Sequence, residues 1–433
     1  MNADNPEPFL DAAATDSVAA VVEQPNEPAG GQSSLTRWAI LIGAGVFATT
    51  MSQPAVLNLP FRNLLKSDLH VSREMMSLFF SISTFAWYLK PLAGIFTDSF
   101  PLFGTRRKYY LILSAAIAGA LYLLVGVVPR TYMSILIAMV AVNCMLVVGS
   151  TVVGGLVVEI GNREGATGRL NSSRYVVMNA CTLIGGPLGG YLAARAFGLT
   201  TIAGALIAMS VIPFAALMIK EPRAERTNSD AWRNVGKQLL TLVKSKTLLS
   251  AAGLLFLVYI APGFGTPLYY MQIDTLHFSQ SFLGTLLLLG GAFGIAGAFV
   301  YAVLCRKFSL RTLLYLSIII NVAGTMLYLF YTSGKAAAFI DSQNGFIGTL
   351  AELALMDLAA RATPKGSEGL GFAIMMSVRN GGQAISDFAG SWLIDHHVTT
   401  FFHLVWINAG STALILLVIP FLPAILIDTH DGK

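Results

Sequence analysis

Apolar runs of about 20 residues, separated by short polar breaks, recur along nearly the whole chain, and they constrain it more than any other feature. A helix needs about 20 mostly apolar residues to cross a hydrocarbon layer of roughly 30 Å, because nothing there can satisfy a stray backbone amide. The runs predict twelve spans, at 37–58, 73–97, 108–128, 131–158, 170–195, 198–219, 247–271, 279–304, 311–332, 337–360, 368–394 and 400–427. Only 12% of residues are charged, against about 25% in soluble domains, so the class expected is an all-α membrane protein in contact with a lipid bilayer.

The net charge of +5 does not point to nucleic acid, because the bases are spread over inter-helix loops instead of forming one basic domain. Arg106, Arg107 and Lys108 share one loop, Arg163 and Arg169 another, and Arg306, Lys307 and Arg311 a third, whereas the alternate loops hold only Arg62, Lys66, Arg73, Arg130, Arg195 and Lys335. Short loops rich in Lys and Arg stay cytoplasmic. Both termini are therefore expected on that side, in a multi-pass protein of the cell inner membrane. Residues 1–36 are acidic and carry no base, which predicts a disordered cytoplasmic tail. Cys144, Cys181 and Cys305 lie in apolar segments without metal-ligand spacing, and the sequence contains no catalytic motif, so neither an enzyme nor a cofactor is expected.

Residues 220–246 form the one long polar stretch within the apolar body. They predict a linker between two six-helix bundles, 37–219 and 247–428, followed by a short tail, 429–433. Internal similarity agrees with this division. At a shift of 201 positions, GRLNSSRYVVMNACTLIGGPLGGYL (168–192) overlays GLGFAIMMSVRNGGQAISDFAGSWL (369–393), so that Asn179 meets Asn380 and Gly189 meets Gly390. Two six-helix halves related by a parallel repeat resemble the plan of the major facilitator transporters. The resemblance implies a site near the bilayer midplane, reached alternately from either side.

In KPLAGIFTDSFPLFGTRRKYY (90–110), Gly94, Asp98, Gly104, Arg106 and Arg107 resemble the signature that these transporters carry between their second and third helices. Gly94 lets a neighbouring helix approach, and Asp98 at the membrane edge needs a cation, for which Arg106 and Arg107 are the nearest candidates. That set is expected to gate; a plain topogenic loop is the alternative. The same stretch, with TPKGSEGLGFAIMMSVRNGGQAISDFAGSWL (363–393) and NSSRYVVMNACTLIGGPLGGYL (171–192), is similar to the folate/biopterin transporter family over about 57–393. The similarity implies a proton-coupled carrier of folates, pterins or related metabolites. The chain departs from the family pattern at Gly154, where that family usually has an acid, and at Arg379.

Ionisable residues within spans are costly, and each is a candidate functional group. Lys90 either snorkels to the nearer surface or faces a cavity. Arg379, Gln383 and Asp387 follow one another at four-residue steps and share one face of the eleventh helix. A guanidinium fork there suits an organic anion. Asn58, Asn143 and Asn380 are further candidates for substrate contact, and Asp387, Glu352 and Glu159 for taking up protons. Ser52, Gln53, Pro54 and Asn58 interrupt the first run, where Pro54 should break the helix at the pocket. Two other readings keep the fold: an exporter of a different solute or drug, and a non-transporting scaffold.

Overall fold

The computed structural model describes residues 32–427 apart from 53–55, 164–166, 222–239, 241 and 365–367. The acidic tail up to residue 31, Pro54 and most of the expected linker lie outside the described residues. So does the side chain of Asp98.

Among the described residues, the helices other than the short Ala424–Ile427 group by continuity into twelve rods. In the first half these are α1 (Gln32–Thr50, then Asn58–Asn63 and a π turn, Leu64–Asp68), α2 (Arg73–Ser83, Phe85–Tyr88, Lys90–Ser99), α3 (Lys108–Val127), α4 (Tyr132–Arg163), α5 (Thr167–Ala193) and α6 (Phe197–Met209, Ile212–Met218). In the second half they are α7 (Lys246–Ile260, then Gly265–Tyr270 and a π turn, Met271–Thr275), α8 (Gln280–Leu304), α9 (Leu310–Met326), α10 (Gly334–Ala362), α11 (Glu368–Asp395) and α12 (Phe401–Leu414). Eight of them qualify as spans by length and apolarity alone. The other four are α1, α2, α10 and α11, which are broken or carry charges.

Helix starts follow from capping. Ser72, Ser245, Ser279, Ser309, Ser333 and Thr400 each accept a hydrogen bond from the backbone N–H three residues on, which satisfies a donor left over at the helix start. Three ends use histidine in the left-handed region, His70, His277 and His397, with φ of 50°, 53° and 57°. Two of these belong to a repeat that is plain once seen, LHVS (69–72) and LHFS (276–279), which ends α1 and α7 and caps α2 and α8 in the same manner.

The first span differs from the sequence expectation. It begins at Gln32 and does not stop at 58; after the break it resumes and runs to Asp68, which brings Arg62 inside the bundle instead of into a loop. The seventh span is also interrupted, at 261–264, around Pro262, as the first is at the turn of Val56 and Leu57. The 201-residue repeat has its physical cause at these breaks. A Cβ on Gly189 of α5 would stand 2.6 Å from the carbonyl oxygen of Val56, and one on Gly390 of α11 would overlap that of Gly263. In each half a glycine lets the fifth helix of six rest on the broken first one.

The halves touch along two seams, α5 against α8 and α2 against α11. In the first, Gly186 and Gly190 face Gly284 and the Gln280 carbonyl so closely that a methyl group on any of the three glycines would collide with backbone. At the end where α1 finishes and α2 starts, here called distal, polar contacts join the halves. Lys66 pairs with Asp274 at 2.5 Å and Arg73 with Asp395 at 3.0 Å. Asp395 also accepts from the Glu74 N–H at the start of α2, and the Tyr270 hydroxyl donates to the Val71 carbonyl. At the opposite, proximal end, Arg107 pairs with Glu159 and Arg361 with Asp357, each within its own half.

Candidate functional site

The breaks in α1 and α7 leave backbone groups that something must satisfy. Tyr122 of α3, fully buried, donates to the Ser52 carbonyl. On the other side α11 does most of the work: the Gly263 N–H donates to the Ser386 carbonyl at 2.9 Å, and Asp387 accepts from the Thr266 N–H at 2.7 Å and its hydroxyl at 2.5 Å. Asp387 thus lies at the N-terminus of the second segment of α7, where the helix dipole and free N–H groups favour an anion.

Between the two breaks lies a cavity of about 440 Å³. Its walls come from α1 (Asn58, Phe61, Arg62), α2 (Ser77, Phe80, Thr84, Trp87, Tyr88) and α11 (Arg379, Asn380, Gln383, Asp387). A second cavity of about 510 Å³ is lined by α5, α7, α8, α9, α10 and α11, including Asn179, Tyr259, Asn344 and Glu352. Arg379 and Gln383 border both.

The expected residues separate into two sets. Arg379, Asn380, Gln383, Asp387 and Asn58 are brought together at the first cavity, and Glu352 reaches Arg379 from the second at 2.6 Å. The Arg379 guanidinium also lies over the Tyr259 ring at 5.2 Å. Others are committed elsewhere. Asn143 is fully buried behind the wall, and its amide accepts from Trp87 Nε1 at 2.8 Å, which fixes the indole instead of presenting an amide to a ligand. Lys90 of α2 donates to Ser150 Oγ of α4 at 2.9 Å and lies 5.4 Å from the Trp87 ring, so it braces the same indole against α4. Of the aromatic side chains, Phe61, Phe80, Trp87 and Tyr88 line the cavity, whereas Phe85 is exposed and Tyr270 belongs to the distal contacts.

In the proximal set, the expected partner Asp98 has its side chain outside the described residues. Arg107 pairs with Glu159 at 3.4 Å. Gly155 clears the room for that guanidinium, since a Cβ there would stand 2.6 Å from Arg107 Nη1. The carboxylate of Glu159 is therefore half of an ion pair. Arg106 is exposed. Gly94 faces Thr151 of α4, with a Cβ position 3.4 Å from its methyl, so the close helix approach is present. PLFGT closes a tight turn, with Leu102 and Thr105 exchanging both backbone hydrogen bonds and Phe103 and Gly104 at φ of 50° and 77°.

Sequence reasoning missed Arg62. Its Nε donates to Asn58 Oδ1 at 2.8 Å, and its guanidinium lies 5.2 Å from the Phe80 ring and 5.5 Å from that of Tyr269, rings from opposite halves. The LHVS/LHFS repeat was the available signal: α7 keeps its apolar run to Thr275, and the same register in α1 carries the helix past Arg62.

The model of the BT1 family matches residues 55–431, nearly the whole body of the chain. The chain belongs to the BT1 family. Among curated relatives of this BT1 family member, a folate-biopterin transporter of Synechocystis sp. is 26% identical over 377 residues, covering 83% of this chain and 76% of its own. A probable folate-biopterin transporter 4 of Arabidopsis thaliana is 25% identical, covering 80% and 85%. Among solved structures, the nucleoside transporter NupG superposes with a TM-score of 0.67 at 11% identity, over 90% of this chain and 98% of that one. A D-xylose-proton symporter gives 0.64 at 15% identity, over 93% and 99%. At such identities these likenesses establish the fold, that of the major facilitator transporters. The BT1 family member is a multi-pass membrane transporter with two six-helix pseudo-repeats.

Proposed function

We propose that this protein is a secondary active carrier of a small organic anion, best fitted by a folate- or pterin-like metabolite, driven by protons across the cell inner membrane. The observation that carries this reading is the pairing in one cavity of two guanidinium groups from opposite halves, Arg62 and Arg379, beside the rings of Phe80, Trp87 and Tyr88. Guanidinium forks bind carboxylates in two-pronged fashion, and aromatic faces take a flat heterocycle. At about 440 Å³ the cavity falls within the roughly 300–1,000 Å³ of small-molecule sites. The names of the curated relatives supply the chemical class.

The basic loops fall at the proximal end, so that end and both termini are read as cytoplasmic. With the distal contacts made, the state described is closed to the outside. Substrate would then exchange with the cytoplasm until those ion pairs part. The proximal residues Asp98, Arg106 and Arg107 are assigned to the opposite closure. The test is counterflow in proteoliposomes with labelled biopterin or folate. Uptake by the unmodified protein that is lost in both Arg62→Ala and Arg379→Ala supports the assignment. Equal uptake in the variants would remove the arginines from the site, and no uptake of any pterin would move the cargo to another organic anion.

A further inference from the structure

Among the described residues, the acids at membrane depth differ in what offsets their charge. Glu352 has Arg379 at 2.6 Å, Glu159 has Arg107, Asp357 has Arg361 at 2.8 Å, and Asp387 has the start of a helix segment. Asp341 of α10 is the exception. Its partners are two phenols from the chain just after α9: the Tyr331 hydroxyl donates to Oδ2 at 2.8 Å and the Tyr328 hydroxyl to Oδ1 at 3.3 Å. Behind them Gln272 of α7 donates to Tyr331 Oη at 2.7 Å. Helix α8 brings the backbone of Gly290 against this turn of α10, where a Cβ would stand 3.4 Å from the Asp341 carbonyl oxygen, and Gln280–Leu304 carries no acid or base. Lys335, on the same helix, is exposed near the distal surface.

A carboxylate held away from water by neutral donors alone is expensive, and taking up a proton is the least costly relief. Asp341 is also placed to exchange one. Asn344 and Gly345, on the next turn of α10, line the second cavity, and so does Glu352 three turns on. The cavity thus runs along α10 from the Arg379 pair towards Asp341.

We propose that Asp341 is the residue that binds and releases the transported proton, and that its state is passed to the break in α7. This rests on the proton-driven reading given above. One proton adds to Oδ1, and nothing else changes hands. The new O–H must donate, so Tyr328, on the longer of the two contacts, turns from donor to acceptor, while Tyr331 keeps its bond to Oδ2 and its acceptance from Gln272. The Tyr328 ring is stacked on Tyr331 with centroids 5.5 Å apart and meets Phe264 edge-on at 4.9 Å. Phe264 is the residue from which the second segment of α7 starts. Proton uptake therefore acts on one side of the segment whose other side is held by Asp387.

Two measurements test this. In proteoliposomes loaded with biopterin, Asp341→Asn should lose accumulation driven by a pH gradient down to the level of protein-free liposomes, while counterflow survives. If the unmodified protein accumulates biopterin regardless of the gradient, the proton-driven reading falls and takes the proposal with it. If the unmodified protein responds to the gradient and Asp341→Asn responds equally, the assignment alone falls. Infrared difference spectra of the unmodified protein in lipid, between acid and alkaline pH, should show a carboxylic C=O band that shifts in Tyr331→Phe, a variant that keeps the acid should Asp341→Asn fail to fold. A band unmoved in Tyr331→Phe would place the titrating carboxyl elsewhere and overturn the assignment.

Discussion

Arg379 of α11 and Glu352 of α10 meet at 2.6 Å where the two cavities join. A substrate carboxylate reaching Arg379 has to compete with one already present. Glu352→Gln removes that competitor and leaves a neutral amide of the same shape. Hydrogen bonds to charged groups contribute about 1.5–3 kcal/mol, so this variant should bind the anion about tenfold or more tightly and release it more slowly. Arg379→Gln should bind it correspondingly less. Equilibrium binding of labelled biopterin checks both. Weaker binding in Glu352→Gln would mean that the acid orients the guanidinium instead of competing for it.

Asp387 lines the cavity, yet both of its oxygens are occupied by Thr266. Asp387→Leu strands a backbone N–H at the break of α7 and should cost about 1–3 kcal/mol, visible as a lower melting temperature in detergent. Asp387→Asn retains an acceptor and should melt close to the unmodified protein. Equal melting of all three would show that the break needs no capping from α11.

The distal contacts make a prediction about populations. Lys66–Asp274 and Arg73–Asp395 are part-buried, and even surface ion pairs contribute up to about 1 kcal/mol each. Lys66→Ala combined with Arg73→Ala should therefore raise the distally open fraction severalfold without unfolding the protein. Faster labelling of Ser77→Cys by an impermeant thiol reagent added from the distal side would report it. Unchanged labelling would assign the latch to Tyr270 and its bond to the Val71 carbonyl.

Glycine substitutions separate close approach from open space. Gly189→Ala places a methyl 2.6 Å from the Val56 carbonyl, and overpacking of that kind costs about 1–3 kcal/mol. Gly410, with nothing within 4 Å of its Cβ position, should accept alanine without loss. Thermal unfolding of the two variants side by side checks the contrast. Similar melting temperatures would mean that α5 yields at its contact with the break.

Twelve spans, two halves and the pairing of Gly189 with Gly390 were legible because apolar length and a repeated small residue leave direct marks on a sequence. The face carrying Arg379, Gln383 and Asp387 was legible from its four-residue steps. Arg62 was not, because a helix that breaks and resumes looks like a helix that has ended. The partners of Asn143 and Glu159 were not either, since Trp87 and Arg107 arrive from elements more than 50 positions away. Asp341 stood unremarked because what sets it apart is that, among the described residues, no cation partners it, and letters do not show surroundings.

The glycine seam between α5 and α8 has a mechanical consequence. At Gly186, Gly190 and Gly284 the two backbones touch directly, so a tilt about these points has few rotamers to reset. The opposite seam, α2 on α11, holds the serines, rings and charges of the cavity wall. A pseudo-symmetric molecule built in this way has the parts of a door, with one edge fitted for a hinge pin and the other for a lock.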